Sequence, residues 1–113
     1  FLMKEILFLL KLAAEQLQEF LNLSATITYM ENHYLENIPL DKLAKIACMS
    51  PRQFGRVFKH LKGTSPIEYL IGLRIEHACY LLQNSSYSIT DISAMSGFSD
   101  SNYFTRVFKN KTR

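Results

Sequence analysis

Apolar residues recur at helical spacing along most of the chain, and nowhere do they alternate over the length of a strand. Met3, Leu7, Leu10, Ala14, Leu17 and Leu21 are spaced 4, 3, 4, 3, 4, a heptad seam that Ile6, Ala13 and Phe20 widen. Phe54, Val57, Phe58 and Leu61 form an i, i+3, i+4, i+7 stripe expected to be buried, and Phe104, Val107 and Phe108 form a shorter one. Start signals are frequent. Ser50-Pro51-Arg52-Gln53 and Ser65-Pro66-Ile67-Glu68 each offer a capping serine followed by a proline suited to the first helical position. Ser88-Ile89-Thr90-Asp91 has the related serine-to-acid spacing, and the next start is capped by Ser99 or Asp100. Gly63 and the Asn84-Ser85-Ser86 cluster supply stops. The pattern predicts helices over about 1–22, 27–35, 40–47, 51–62, 66–83, 89–96 and 100–110. The expected fold is all-α.

An internal repeat organises these helices. Leu40-x-x-Leu43-Ala44-x-x-Ala47-Cys48-Met49-Ser50 recurs 49 residues later as Ile89-x-x-Ile92-Ser93-x-x-Ser96-Gly97-Phe98-Ser99. Arg56-Val57-Phe58-Lys59 recurs as Arg106-Val107-Phe108-Lys109, at an offset of 50. Each copy reads as a helix-turn-helix unit. Small residues (Ala44 and Ala47, or Ser93 and Ser96) sit where a second helix must cross closely. The turn favours a residue that tolerates left-handed backbone angles, which Gly97 does and Cys48 does poorly. The first turn is therefore either strained or differently shaped.

Charge sharpens this picture. The formal net charge is only +3, yet residues 50–62 carry Arg52, Arg56, Lys59 and Lys62 without an acid, and residues 101–113 carry Arg106, Lys109, Lys111 and Arg113 without one. Two basic islands on an acidic remainder suit a polyanion. The apolar stripes leave Arg52, Gln53, Arg56, Lys59 and His60 outward on one helix, and Ser101, Asn102, Thr105, Arg106 and Lys109 on the other. Arginine and asparagine can pair bidentately with guanine and adenine edges, and serine and threonine adaptably with either. Lysines and helix N-terminal amides suit phosphates, which assigns Ser50, Lys59, His60, Thr64, Ser65, Ser99 and Lys109 to the backbone of a duplex.

At these positions residues 27–113 resemble the DNA-binding domain of the AraC/XylS family of bacterial transcription regulators. The resemblance rests on Ile38-Pro39-Leu40-Asp41-x-Leu43-Ala44, Met49-Ser50-Pro51-Arg52-x-Phe54-x-Arg56-x-Phe58-Lys59 and Gly63-Thr64-Ser65-Pro66-Ile67-Glu68-Tyr69. It extends through Arg74-Ile75-x-x-Ala78-x-x-Leu81-Leu82 and Ile92-Ser93-x-x-x-Gly97-Phe98-x-x-x-x-Tyr103-Phe104-x-Arg106-x-Phe108-Lys109. It implies a seven-helix domain in which two helix-turn-helix units, about 40–62 and 89–110, are tied by a long helix over 66–83. The two recognition helices are expected in successive major grooves, about 10–10.5 base pairs apart. By position the first would present Arg52, Gly55 and Arg56, and the second Ser101, Asn102, Thr105 and Arg106. Gly55 departs from the larger polar residue usual in the family. The family pattern also continues past Arg113 with a Gly-x-x-Pro-x-x-Tyr segment, so a less buttressed second unit is expected. In the full-length protein the resemblance implies an upstream sensor domain, RNA polymerase as a partner, and a cytoplasmic, nucleoid-associated setting.

Residues 1–26 lie outside the resemblance and are expected to form an extra amphipathic helix, a linker whose seam pairs with its copy in a homodimer. Packing on the DNA-binding domain or on a missing sensor domain would use the same stripe. The chain opens at Phe1 without an initiator methionine, as a piece of a longer protein would. Its greasiest stretch, Ile6–Leu10, is far short of the about 20 apolar residues of a membrane span. His33, His60, His77, Cys48 and Cys79 lack metal-ligand spacing, and the two cysteines form no disulfide framework; Cys79 is expected in the core. No nucleophile–base set or phosphate loop appears, so neither catalysis nor a cofactor is expected. Tyr103 is expected in or near the core. The reading is a duplex-DNA-binding module; its rival is a helical protein-interaction module whose basic faces meet an acidic partner.

Overall fold

The computed structural model describes residues 2–112, and among them every regular element is an α-helix. These are α1 (Leu2–His33), α2 (Leu40–Ile46), α3 (Pro51–Lys62), α4 (Pro66–Asn84), α5 (Ile89–Met95) and α6 (Ser101–Thr112). The count is six where the sequence suggested seven, because the break expected at residues 23–26 does not occur. No glycine or proline stands there to stop the helix. Thr26, unfavourable in a helix interior, donates its hydroxyl to the Asn22 carbonyl at 2.9 Å. Gln18 donates to the Asn22 side chain at 2.9 Å one turn earlier. Leu23, Thr26 and Met30 are then buried together, which holds the helix straight through the segment.

Side chains from α1 to α4 make a first core of Leu23, Met30, Leu43, Ala44, Ala47, Phe54, Phe58 and Leu70. A second core gathers Ile71, Ile75, Ala78, Leu81, Ile92 and Phe104 from α4, α5 and α6, with Phe98 from the turn between the last two. Helix α4 belongs to both. Leu70 and Ile71 are adjacent in sequence and about 100° apart around the helix, so each turns to a different core. Upstream, α1 extends well beyond the first core, giving a molecule 69 Å long and only 23 × 20 Å across.

Serine caps start three helices as the sequence indicated. The Ser50, Ser65 and Ser88 hydroxyls accept from the amides of Gln53, Glu68 and Asp91 at 3.2, 3.2 and 3.1 Å. At α6 the cap is Asp100, whose carboxylate accepts from the Asn102 amide at 2.9 Å.

Both units turn through the same Schellman geometry. In the first, the Met49 amide donates to the Ala44 carbonyl at 2.9 Å and the Cys48 amide to Lys45 at 3.0 Å. In the second, Phe98 donates to Ser93 at 3.0 Å and Gly97 to Ala94 at 3.2 Å. Cys48 has φ +57° and Gly97 φ +87°, which decides the alternatives: the first turn keeps the shape and accepts the strain. Glycine is favoured at 97 on two counts, its left-handed backbone and the crowding around it. A Cβ there would lie 3.1 Å from Arg74 Nε and 3.3 Å from the Leu35 carbonyl oxygen.

One expected core residue is outside. Leu61 is 46% exposed, because the first core ends a turn earlier on α3 and Leu61 reaches only the lip of a groove with Phe20, Ser24, Ile27 and Thr28 of α1. Two predictions follow from the turns. Gly97→Ala should destabilise by about 2 kcal/mol or more in urea unfolding, since contact strain adds to the left-handed penalty of about 1–2 kcal/mol. Ser96 is fully buried and its hydroxyl has no protein partner, while Ala47 fills the matching place in the first unit. Ser96→Ala should therefore raise stability by about 1 kcal/mol, seen as a higher melting temperature.

Candidate nucleic-acid interface

Helix α3 turns Phe54 and Phe58 into the core, and their fixed spacing leaves Arg52, Gln53, Arg56, Lys59 and His60 exposed on the opposite side. Ser50, Arg52, Gln53 and Arg56 line one shallow depression of about 320 Å³ at the start of the helix. Gly55 lies between the two arginines. A Cβ built there meets nothing within 4 Å, so packing within the chain does not demand glycine. Thr64 and Ser65 are half-buried at the junction with α4, where the Ser65 hydroxyl is engaged by its own cap.

Helix α6 buries Phe104 and half-buries Val107 and Phe108, which exposes Asn102, Arg106 and Lys109. Ser101 and Thr105 are half-buried, and the Thr105 hydroxyl donates to the Ser101 carbonyl at 2.9 Å, so it keeps only acceptor capacity. Ser99 is exposed just ahead of the capping Asp100. Tyr103, expected in or near the core, is 40% exposed. Its ring packs on Phe98 at 6.1 Å and lies beneath the Arg106 guanidinium, 5.7 Å from the centroid. The two residues are three apart on one helix, so the spacing carried that signal. Tyr103, Arg106, Val107, Lys109 and Asn110 line a depression of about 470 Å³.

The two basic islands differ in how free their charges are. Among the described residues Arg52, Arg56, Lys59, Arg106 and Lys109 make no ion pair. Lys111 does: it bridges to Glu68 at the start of α4 at 2.8 Å. Arg113 lies outside the described residues. The seam residues Met3, Leu7, Leu10, Ala14, Leu17 and Leu21 are all exposed, and the stripe does not fold back on the helices that follow. Cys79 is half-buried against the second core. Among the described residues no group of three or more His, Cys, Asp or Glu is placed to hold a metal ion. None of their helices is long and apolar enough to cross a membrane.

Comparison with known proteins gives a consistent picture. A helix-turn-helix domain profile matches residues 43–113. The chain is 38% identical over 114 residues to the HTH-type transcriptional activator RhaS of Escherichia coli O139:H28, covering 94% of this chain and 41% of that protein. It thus spans about two fifths of the length of that curated relative. Among solved structures it resembles the DNA-binding domain of AdpA, a global transcriptional factor crystallised with a target DNA, with a TM-score of 0.74 and 30% identity over 79% of this chain and 80% of that one. An AraC-type transcriptional regulator from Chromobacterium violaceum is similar at TM-score 0.73 and 33% identity, covering 88% of this chain and 86% of that one. With its duplicated capped turns and the match running through both, the chain belongs to the helix-turn-helix domain family, as a DNA-binding domain of the AraC/XylS type.

Proposed function

We propose that this chain binds duplex DNA sequence-specifically by laying α3 and α6 in successive major grooves. The observation that carries this reading is the repeat itself: two helix-turn-helix units with the same turn, each leaving unpaired arginine and lysine on the exposed side of its second helix. Arg52, Gln53 and Arg56 would read bases from α3, and Ser101, Asn102, Thr105 and Arg106 from α6. Ser50, Lys59, His60, Thr64, Ser65, Ser99 and Lys109 would hold phosphates. Thr105 would read a base as an acceptor only, since its hydroxyl proton is bound to the Ser101 carbonyl. The functional domain would be residues 27–113, preceded by a linker over 1–26.

The linker would pair two copies. At 3.6 residues per turn, the seam and the buried Leu23–Met30 face lie roughly 180° apart on α1, so a second α1 can occupy the seam without meeting the first core. In the whole protein, an upstream sensor domain and RNA polymerase would be further partners, the setting would be cytoplasmic and nucleoid-associated, and the output activation, as the RhaS relatives are named activators. An acidic protein partner is the competing reading.

Selection of preferred duplexes from a random pool, followed by titration in salt, tests the function. Binding should favour a sequence and fall steeply with salt; an acidic-protein binder would show no sequence preference. Arg56→Ala and Arg106→Ala should each lose about 1–3 kcal/mol and relax preference at one base position. Lys59→Ala should weaken all sequences alike and lower the salt slope by about one; an unchanged slope would remove Lys59 from the phosphate contacts. Sedimentation should show a dimer that Leu10→Glu with Leu17→Glu dissociates, and a monomer at high concentration would end the seam proposal.

A further inference from the structure

The two cores share α4, but one of its side chains also joins the units from outside either core. Arg74 Nε donates to the Tyr34 carbonyl at 2.6 Å, and its Nη2 donates to the Glu36 carbonyl at 3.0 Å. Both carbonyls lie in the connection between α1 and α2, the lead-in to the first unit. The stem of the same side chain lies against Gly97, the turn of the second unit, where an added Cβ would be 3.1 Å from Nε and 3.3 Å from Cδ. The Leu35 carbonyl oxygen closes on the same point at 3.3 Å. One turn further along α4, His77 holds the lead-in a second time. Its ring meets Tyr34 edge-on at 6.0 Å, and its Nδ1 is 3.4 Å from the Tyr34 hydroxyl.

A guanidinium is suited to this place. Its planar fork reaches two carbonyls at once, and it stays charged despite partial burial. A lysine ammonium could reach one of them, and methionine neither. With both bonds made, the first unit's lead-in, the shared helix and the second unit's turn form one rigid contact. Without them the units remain joined mainly through α4 and through the exposed Lys111–Glu68 pair, which is weakly constraining.

We propose that Arg74 is a positioning residue that fixes the placement of α6 relative to α3, and so sets the number of base pairs the domain requires between its two half-sites. The proposal rests on the reading that both helices contact DNA. One inserted base pair turns the second half-site by about 34–36° and moves it along the axis, a change that a rigid pair of reading helices cannot follow.

The test uses the duplex selected by the unaltered protein and variants of it with one base pair added to or removed from the spacer. Affinities are measured for the unaltered protein, Arg74→Lys and Arg74→Met, with helical content checked by circular dichroism. The unaltered protein should lose roughly 10-fold or more on either spacer change, comparable to a lost base contact. Both variants should show a penalty reduced to roughly 3-fold or less, with the salt slope unchanged. Should Arg74→Met fail to fold, Arg74→Lys carries the same comparison. A folded variant that weakens binding to all spacers equally, and so keeps the unaltered penalty, overturns the proposal and leaves the two-helix reading standing. Footprints of the unaltered protein over a single half-site would overturn both.

Discussion

Everything in this molecule hangs on one helix having to satisfy two cores at once. Neither helix-turn-helix unit encloses its apolar side chains alone: the first needs Leu70 to complete the layer of Phe54 and Phe58, and the second needs Ile71, Ile75, Ala78 and Leu81 to cover Ile92, Phe98 and Phe104. A single α-helix can serve both only with two apolar faces, and its period then dictates the angle between them. Because helices are stiff, α4 sets the coarse angle between the units, while their finer placement is left to contacts such as that of Arg74 with the lead-in to the first unit. The constraint that stabilises the domain is therefore also the one that orients its exposed basic sides.

The repeat shows how far sequence can drift while that constraint holds. Both turns keep the same pair of amide–carbonyl bonds, yet one places cysteine and the other glycine at the left-handed position. The difference is in the surroundings. Gly97 is pressed by Arg74 and the Leu35 carbonyl, so an added Cβ would crowd them, whereas Cys48 is exposed and suffers only the backbone penalty. Ser93 and Ser96 similarly replace Ala44 and Ala47, at the cost of a hydroxyl without a protein partner at Ser96.

Local chemistry was legible in the sequence, and longer-range chemistry was not. Helix starts at Ser50, Ser65 and Ser88 and the turn at Gly97 follow from side-chain and backbone preferences acting within four residues, and the structure repeats them. The exposed basic sides of α3 and α6 also follow, because their complement is the apolar stripe. Three features escaped. Continuity of α1 through Asn22–Thr26 depends on burial of Leu23 and Met30 against distant residues. Leu61 has the right period but lies past the end of the core, and period carries no information about where a core stops. The Arg74 bonds reach carbonyls about 40 positions away, to which its own sequence neighbourhood gives no clue.

Helices α3 and α6 are not electrostatic equals, and this bears on how they would divide the labour on DNA. α3 begins at a neutral serine cap and carries Arg52, Arg56, Lys59 and Lys62 without an acid, so its N-terminal dipole and its cations add. α6 begins at Asp100, whose carboxylate is already bound to the Asn102 amide and offsets the positive end of the helix. One of its cations, Lys111, is occupied by Glu68. On the proposed reading, α3 supplies the larger share of the salt-dependent attraction that draws in any duplex. α6 contributes through Asn102 and an Arg106 held over the Tyr103 ring, groups suited to recognising base edges. On that reading two units of one pattern would divide capture from discrimination, while the shared α4 keeps both on the same frame.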